Sequence, residues 1–176
     1  HMAELVKKHN ADLGIALDGD ADRVVLADAS GKVVDGDGIL YLLGVYDQKD
    51  PPVADGIVGT VMSNFGLELA CQARGIAFER SDVGDRYVLE KMYAKRWTLG
   101  GETSGHIIQL DKGTTGDGLL TAVSVVEVMS STGRTLAELV SGLQIYPQSM
   151  INVPVNGSVP AAILLEDETV INAVRE

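Results

Sequence analysis

Apolar residues fall into short blocks of two kinds, and their alternation predicts an α/β fold. Leu13–Leu17 (LGIAL) and Val24–Ala27 (VVLA) are continuous apolar runs of strand length, and the first is expected to be buried. Ser30-Gly31 is a turn signal, so Lys32–Val34 should pair back as a hairpin. Ala3–His9 and Gly38–Tyr46 read as helices. From residue 56 the two kinds of block alternate. A strand is expected over Gly56–Met62 and a helix over Ser63–Arg74, capped by Ser63 or Asn64 and closed by Gly75. A short strand, Ala77–Arg80, precedes a helix over Asp85–Lys95. Thr98–Gly101 and His106–Leu110 read as two strands joined by a tight Gly-Glu-Thr-Ser-Gly segment. Asp117–Ser130 is a long helix capped by Asp117, with Leu119–Met129 expected in the core. Gly133 breaks it, and Thr135–Ser141 starts another helix. A strand over Met150–Val155 and a largely helical stretch over Ile163–Val174 follow. Tyr93 and Trp97 are expected to pack inside. The expected class is α/β, a mixed β-sheet layered with helices.

Two breaks divide the pattern. Gln48–Asp55 is polar and carries Pro51-Pro52, and Tyr146-Pro147 marks a second boundary. The expected division is 1–47, 48–146 and 147–176. His1-Met2 reads as an expression scar. The pattern starts and stops close to core elements, so the chain is expected to be a piece of a longer protein.

Charge narrows the partners. Asp and Glu outnumber Lys and Arg by 25 to 14, a net charge of −11, with no basic cluster, which argues against nucleic acid. No apolar stretch has the length of a membrane span, so no membrane partner is expected. The single Cys71 excludes an internal disulfide and suits a reducing cytoplasm.

The strongest chemical signal is Asp18-Gly19-Asp20-Ala21-Asp22-Arg23, directly after the first strand. Alternate carboxylates point to one side of an extended loop and repel each other there. A divalent cation removes the repulsion, and carboxylate oxygens suit Mg²⁺ or Ca²⁺. A solvated acidic turn is the plainer alternative. An EF-hand is excluded, because its sixth position would be Arg23 rather than Gly and its twelfth Ala29 rather than Glu. An aspartyl-phosphate phosphatase would carry Gly and Thr or Val after its Asp pair, so that reading survives weakly. Arg23 either pairs with the carboxylates or holds a phosphate oxygen beside the metal.

The second signal is Gly101-Glu102-Thr103-Ser104-Gly105-His106. Glu102 and Ser104 can face the same way and suit vicinal sugar hydroxyls, and His106 titrates in the range of a proton shuttle. Arg86, in Val83–Tyr87 (VGDRY), either reaches a substrate phosphate or sits in a surface ion pair. Lys112–Gly118 (KGTTGDG) lacks the spacing of a phosphate-binding P-loop and reads as a loop ending at a helix cap.

Taken together, LGIALDGDADR, the DGD at 35–37, GTVMSNFGLELA at 59–70, VGDRYVLEKM at 83–92, GETSGH and TTGDG resemble the α-D-phosphohexomutases in content and order. The likeness covers about residues 10–155. It implies a domain-3-like fold with partial flanking domains: the end of domain 2, all of domain 3 and the start of domain 4. It implies Asp18, Asp20 and Asp22 as ligands of Mg²⁺, Arg23 at the phosphate, Glu102 and Ser104 at the sugar, and His106 in proton transfer. The implied activity moves phosphate within a hexose phosphate by way of a phosphoserine and a bisphosphate intermediate. The overall match and Thr103 favour glucosamine 6-phosphate and glucosamine 1-phosphate, on the bacterial route to amino-sugar precursors of the cell wall. Phosphomannose and phosphoglucose are the alternative substrates, and a non-catalytic sugar-phosphate-binding module is the remaining one. The family's serine loop (T-x-S-H-N-P) and domain 4 phosphate loop (R-x-S-G-T-E-P) do not occur in these 176 residues. The isolated chain is therefore expected to be inactive without its partners, the missing domains 1 and 4.

Overall fold

The elements follow in the order α1 (Met2–His9), β1 (Leu13–Leu17), β2 (Val24–Asp28), β3 (Val33–Val34), α2 (Gly36–Tyr46), β4 (Gly56–Thr60), α3 (Phe65–Gln72), β5 (Ala77–Ser81), α4 (Asp85–Lys95), β6 (Leu99–Gly101), β7 (Ile107–Gln109), α5 (Gly118–Thr132) and α6 (Leu136–Leu139). They come from a computed structural model that describes residues 1–46 and 56–149, with Glu168, Ile171 and Asn172. The break expected over Gln48–Asp55 and the strand over Met150–Val155 lie outside the described residues. The helix expected over Ile163–Val174 is described at those three residues alone, all helical. Residues 1–146 form one compact unit and 147–176 a second.

Two sheets build the first unit. β1, β2 and β3 form an antiparallel meander, with Leu13 opposite Asp28 and Leu26 opposite Val34. The second sheet has the order β5-β4-β6-β7, with β4 parallel to both β5 and β6, and β7 antiparallel to β6. Its residues alternate between two apolar layers, as the two-residue period of a strand requires. Ile57, Leu99 and Ile107 join α2, α3 and α5 on one side, while Val58 and Ile108 meet Val88 and Met92 of α4 on the other. α2 is the central helix. Gly36–Leu43 are all buried, which is why its sequence is apolar all round.

Local chemistry sets the helix ends. Asn64 caps α3 by accepting from Gly66 N at 2.9 Å, and Asp117 caps α5 by accepting from Leu120 N at 2.8 Å. Thr135 and Glu138 close a reciprocal capping box on α6.

Three packing expectations fail. β1 is a strand, but it lies at a sheet edge and leaves Ile15 45% and Leu17 41% exposed rather than buried. α5 buries Ala122, Val125 and Val128, and turns Leu119, Val123 and Val126 outward, so its apolar run is only partly core. Tyr93 is 56% exposed, whereas Trp97 packs against the layer of Val58 and Met92. A continuous apolar run does not say which face is covered; the neighbouring elements decide that.

Candidate functional site

β1 delivers the acidic loop and β2 takes it away. Asp18, Asp20 and Asp22 each place a carboxylate oxygen within 4.8 Å of the others. The turn is held by backbone. Ala21 adopts a left-handed conformation with φ 60°, Ala21 N donates to Asp18 O at 3.3 Å, and Gly118 N donates to Ala21 O at 2.8 Å. Arg23 N donates to Asp18 Oδ1 at 3.3 Å, and its Nε stands 3.8 Å from Asp18 Oδ2 and 3.7 Å from Asp22 Oδ1.

The GETSGH loop meets this turn directly. Arg23 and His106 form an antiparallel bridge, and Val24 N donates to Gly105 O at 3.1 Å. His106 is buried at 4% exposure and donates from Nδ1 to Asp22 Oδ2 at 3.1 Å, since an ionised carboxylate can only accept. The first glycine of the TTGDG stretch makes room for that ring, because a Cβ at Gly116 would collide with the imidazole. Asp22 Oδ1 and His106 Nε2 are buried without a hydrogen-bond partner among the described residues. A hard cation fits this donor set: three converging carboxylates, one with a buried oxygen that accepts no hydrogen bond and faces Arg23 Nε at 3.7 Å.

The rest of the loop is fastened from beneath. Gly36 N donates to Thr103 O at 3.1 Å, and a Cβ at Gly36 would collide with the Glu102 carbonyl. Thr103 Oγ1 donates to Asp37 Oδ2 at 3.2 Å, and Asn64 N donates to the same oxygen at 2.7 Å. Burial pushes the Asp37 carboxyl above the ordinary aspartate range, against the pull of the Asn64 N–H and the Ser63 and Thr103 hydroxyls. Glu102 accepts from Gly84 N at 2.9 Å through Oε1, which ties the VGDRY stretch to the GETSGH loop.

A cavity of about 370 Å³ opens between these parts, lined by Arg23, Thr60, Met62, Val83, Glu102, Thr103 and Ser104. It lies where β4, β5 and β6 end. The chain passes from β4 through α3 to β5 on one flank and from β5 through α4 to β6 on the other, and α/β sheets gather ligands beyond the carboxyl ends of such strands.

The expected residues therefore divide. The structure brings together Asp18, Asp20, Asp22, Arg23, Glu102 and Ser104. His106 lies under the acidic loop rather than in the cavity wall. Arg86 is exposed and bridges to Glu90, Nε to Oε1 at 2.9 Å, which is the surface-pair reading. Sequence reasoning missed the cavity residues Thr60, Met62 and Val83, and it missed Asp37 beneath. An acid directly before a wholly apolar helical run was the available signal for Asp37, because a carboxylate carried into the core needs donors.

Comparisons with known proteins give the family and the fold. Residues 35–146 match the family described as phosphoglucomutase/phosphomannomutase, alpha/beta/alpha domain III, and residues 1–31 match its domain II. A phosphoglucosamine mutase of Thioalkalivibrio sulfidiphilus is 50% identical over 175 residues, 99% of this chain and 39% of its own length. The chain thus spans about two fifths of that curated relative. A phosphoglucomutase/phosphomannomutase family protein from Burkholderia thailandensis superposes with a TM-score of 0.71 at 26% identity, over 81% of this chain and 31% of its own. The Aspergillus fumigatus N-acetylphosphoglucosamine mutase, in complex with GlcNAc-6P and magnesium, shares the fold at TM-score 0.60 and 19% identity, over 82% of this chain and 40% of its own.

Proposed function

The chain belongs to the phosphoglucomutase/phosphomannomutase family, and on that premise we propose that it carries the metal loop and the sugar loop of an enzyme interconverting glucosamine 6-phosphate and glucosamine 1-phosphate. One observation carries the reading. Arg23 belongs to both halves of the site, paired with Asp18 and Asp22 on one side and lining the cavity of Glu102, Thr103 and Ser104 on the other. A guanidinium in that position would pair with a phosphate held between the acidic loop and the cavity. The half-identical relative named for glucosamine supports the sugar.

Asp18, Asp20 and Asp22 are the residues that would hold Mg²⁺. When bound, the cation neutralises the loop and draws charge from a phosphate oxygen. The chain's own residues do the rest. Arg23 orients the phosphate. Ser104 and the carboxylate oxygen of Glu102 not bound to Gly84 receive sugar hydroxyls. His106 fixes Asp22 through Nδ1, the usual means of aiming a metal-ligating carboxylate, so it acts by positioning. Arg86, exposed beside Glu90, reaches a phosphate by leaving that pair. Family phosphoryl transfer uses a phosphoserine, and no T-x-S-H-N-P loop stands in these 176 residues, so turnover requires the remaining domains.

Calorimetric titration of the chain with glucosamine 6-phosphate in Mg²⁺ buffer tests the reading. Saturable binding that Arg23→Ala weakens by about tenfold or more is expected, the loss of one charge-assisted contact. Equal affinity of chain and variant, or preference for mannose 6-phosphate or glucose 6-phosphate, contradicts it.

A further inference from the structure

We infer that Asp37 is a positioning residue that sets the width of the sugar cavity by joining its two walls through one buried oxygen. The inference rests on the reading of the cavity as a sugar site. One wall is the turn after β4, which brings Thr60 and Met62 to the cavity and ends at Asn64. The other is the loop of Thr103 and Ser104. These walls come from segments about forty residues apart. Asp37, at the start of the buried helix α2, is 1% exposed and lies behind both. Its Oδ2 accepts from Asn64 N at 2.7 Å and from Thr103 Oγ1 at 3.2 Å.

Each wall is also braced elsewhere, the turn by Val61 N donating to Ser81 O at 2.9 Å and the loop by Glu102 Oε1 accepting from Gly84 N at 2.9 Å. The turn is tied internally, Ser63 N to Thr60 O at 3.0 Å and Thr60 N to Ser63 Oγ at 3.1 Å. Asn64 is tied to Tyr146, its Oδ1 accepting from Tyr146 N at 3.0 Å. The loop is tied to Gly36 and to Val24. Asp37 binds the two rigid pieces to each other. A buried carboxylate costs the fold more than a buried apolar side chain of the same shape unless its donors repay it. Leucine would fill the same space without joining the walls, so the carboxylate is explained by the junction.

The Asn64 and Thr103 bonds end on the same oxygen, the Ser63 hydroxyl adds a further bond from the side of the turn, and this makes the variants informative. Asp37→Asn can present its amide oxygen to both donors and keeps the junction. Asp37→Leu keeps the volume and loses it. Thr103→Val removes the loop's half from the other side, and it keeps the test decisive if Asp37→Leu does not fold. Amide hydrogen exchange by NMR reads the loop directly. The amides of Glu102 and Gly105, bonded to His106 O and Glu102 O, are the reporters, and those of the β1–β2 ladder are the reference.

Asp37→Leu and Thr103→Val should speed Glu102 and Gly105 exchange by about tenfold or more with the reference unchanged, while Asp37→Asn stays close to the unmodified chain. Glucosamine 6-phosphate binding should weaken by about tenfold in the same two variants, and the double variant Asp37→Leu with Thr103→Val should be no weaker than either, as a shared link requires. Loop amides that keep their rate in Thr103→Val, or a uniform acceleration that includes the reference, overturn the inference. Failure of the unmodified chain to bind glucosamine 6-phosphate sinks the sugar reading alone, and the exchange rates still decide the place of Asp37.

Discussion

The acidic loop and the GETSGH loop meet at Arg23, yet they are held by opposite means. The GETSGH loop is satisfied from within the protein. Thr103 is bonded to Gly36 and Asp37, Glu102 to Gly84, and Gly105 to Val24. The acidic loop is exposed and gathers three carboxylates against one guanidinium, with one carboxylate oxygen buried and accepting no hydrogen bond. One loop is finished by its own hydrogen bonds; the other is left unfinished among the described residues.

The sharpest way to break the comparison is to disturb the finished loop. Gly105 has φ +95°, and a Cβ there would collide with the Val24 carbonyl. Gly105→Ala should cost about 3 kcal/mol in a denaturant titration, combining strain with overpacking. Asp20→Ala addresses the unfinished loop instead. Mg²⁺ affinity should fall by about tenfold or more while melting without metal holds or rises, because a repulsive charge has gone. Equal Mg²⁺ curves for the two proteins would leave the acidic loop a solvated turn.

Two aspartates sharpen the contrast by pH. At the β2–β3 turn, burial would raise the Asp28 carboxyl, but the Ser30 hydroxyl and the Ser30 and Lys32 N–H groups outweigh it and hold it below the ordinary value of 3.8. Its stabilisation is present above 3.8 and is lost as pH falls through the lowered folded value. Asp37 runs the other way. Folding binds its proton more tightly, so the native state loses stability as pH rises from 3.8 through the raised value. Denaturation should show Asp37→Asn gaining relative to the unmodified chain as pH rises above 3.8, and Asp28→Asn losing as pH rises toward 3.8. The smallest effect belongs to Arg86→Ala. Its exposed pair with Glu90 is screened, so the melting temperature should stay put.

Much of this arrangement was legible in the chain. Asp117 before an apolar run and Asn64 before Phe-Gly are caps whose chemistry is local, so α5 and α3 start where the sequence predicts. The convergence of three carboxylates was legible because Asp18, Asp20 and Asp22 alternate within five residues. The hidden part is long-range. Nothing near His106 says that its ring turns under the acidic loop to Asp22, 84 residues away. Nothing near Glu102 says that half its carboxylate goes to Gly84. The outward faces of β1 and α5 were misread for the same reason, since burial depends on what the fold brings alongside.

The central claim is that the two loops serve one ligand. NMR titration of the 176-residue chain with glucosamine 6-phosphate in Mg²⁺ tests it most directly. Saturable shifts with one common dissociation constant are expected at the amides of Asp18–Arg23 and of Glu102–Ser104. Saturable shifts at one loop with the other unmoved, or no saturation at either, would contradict it.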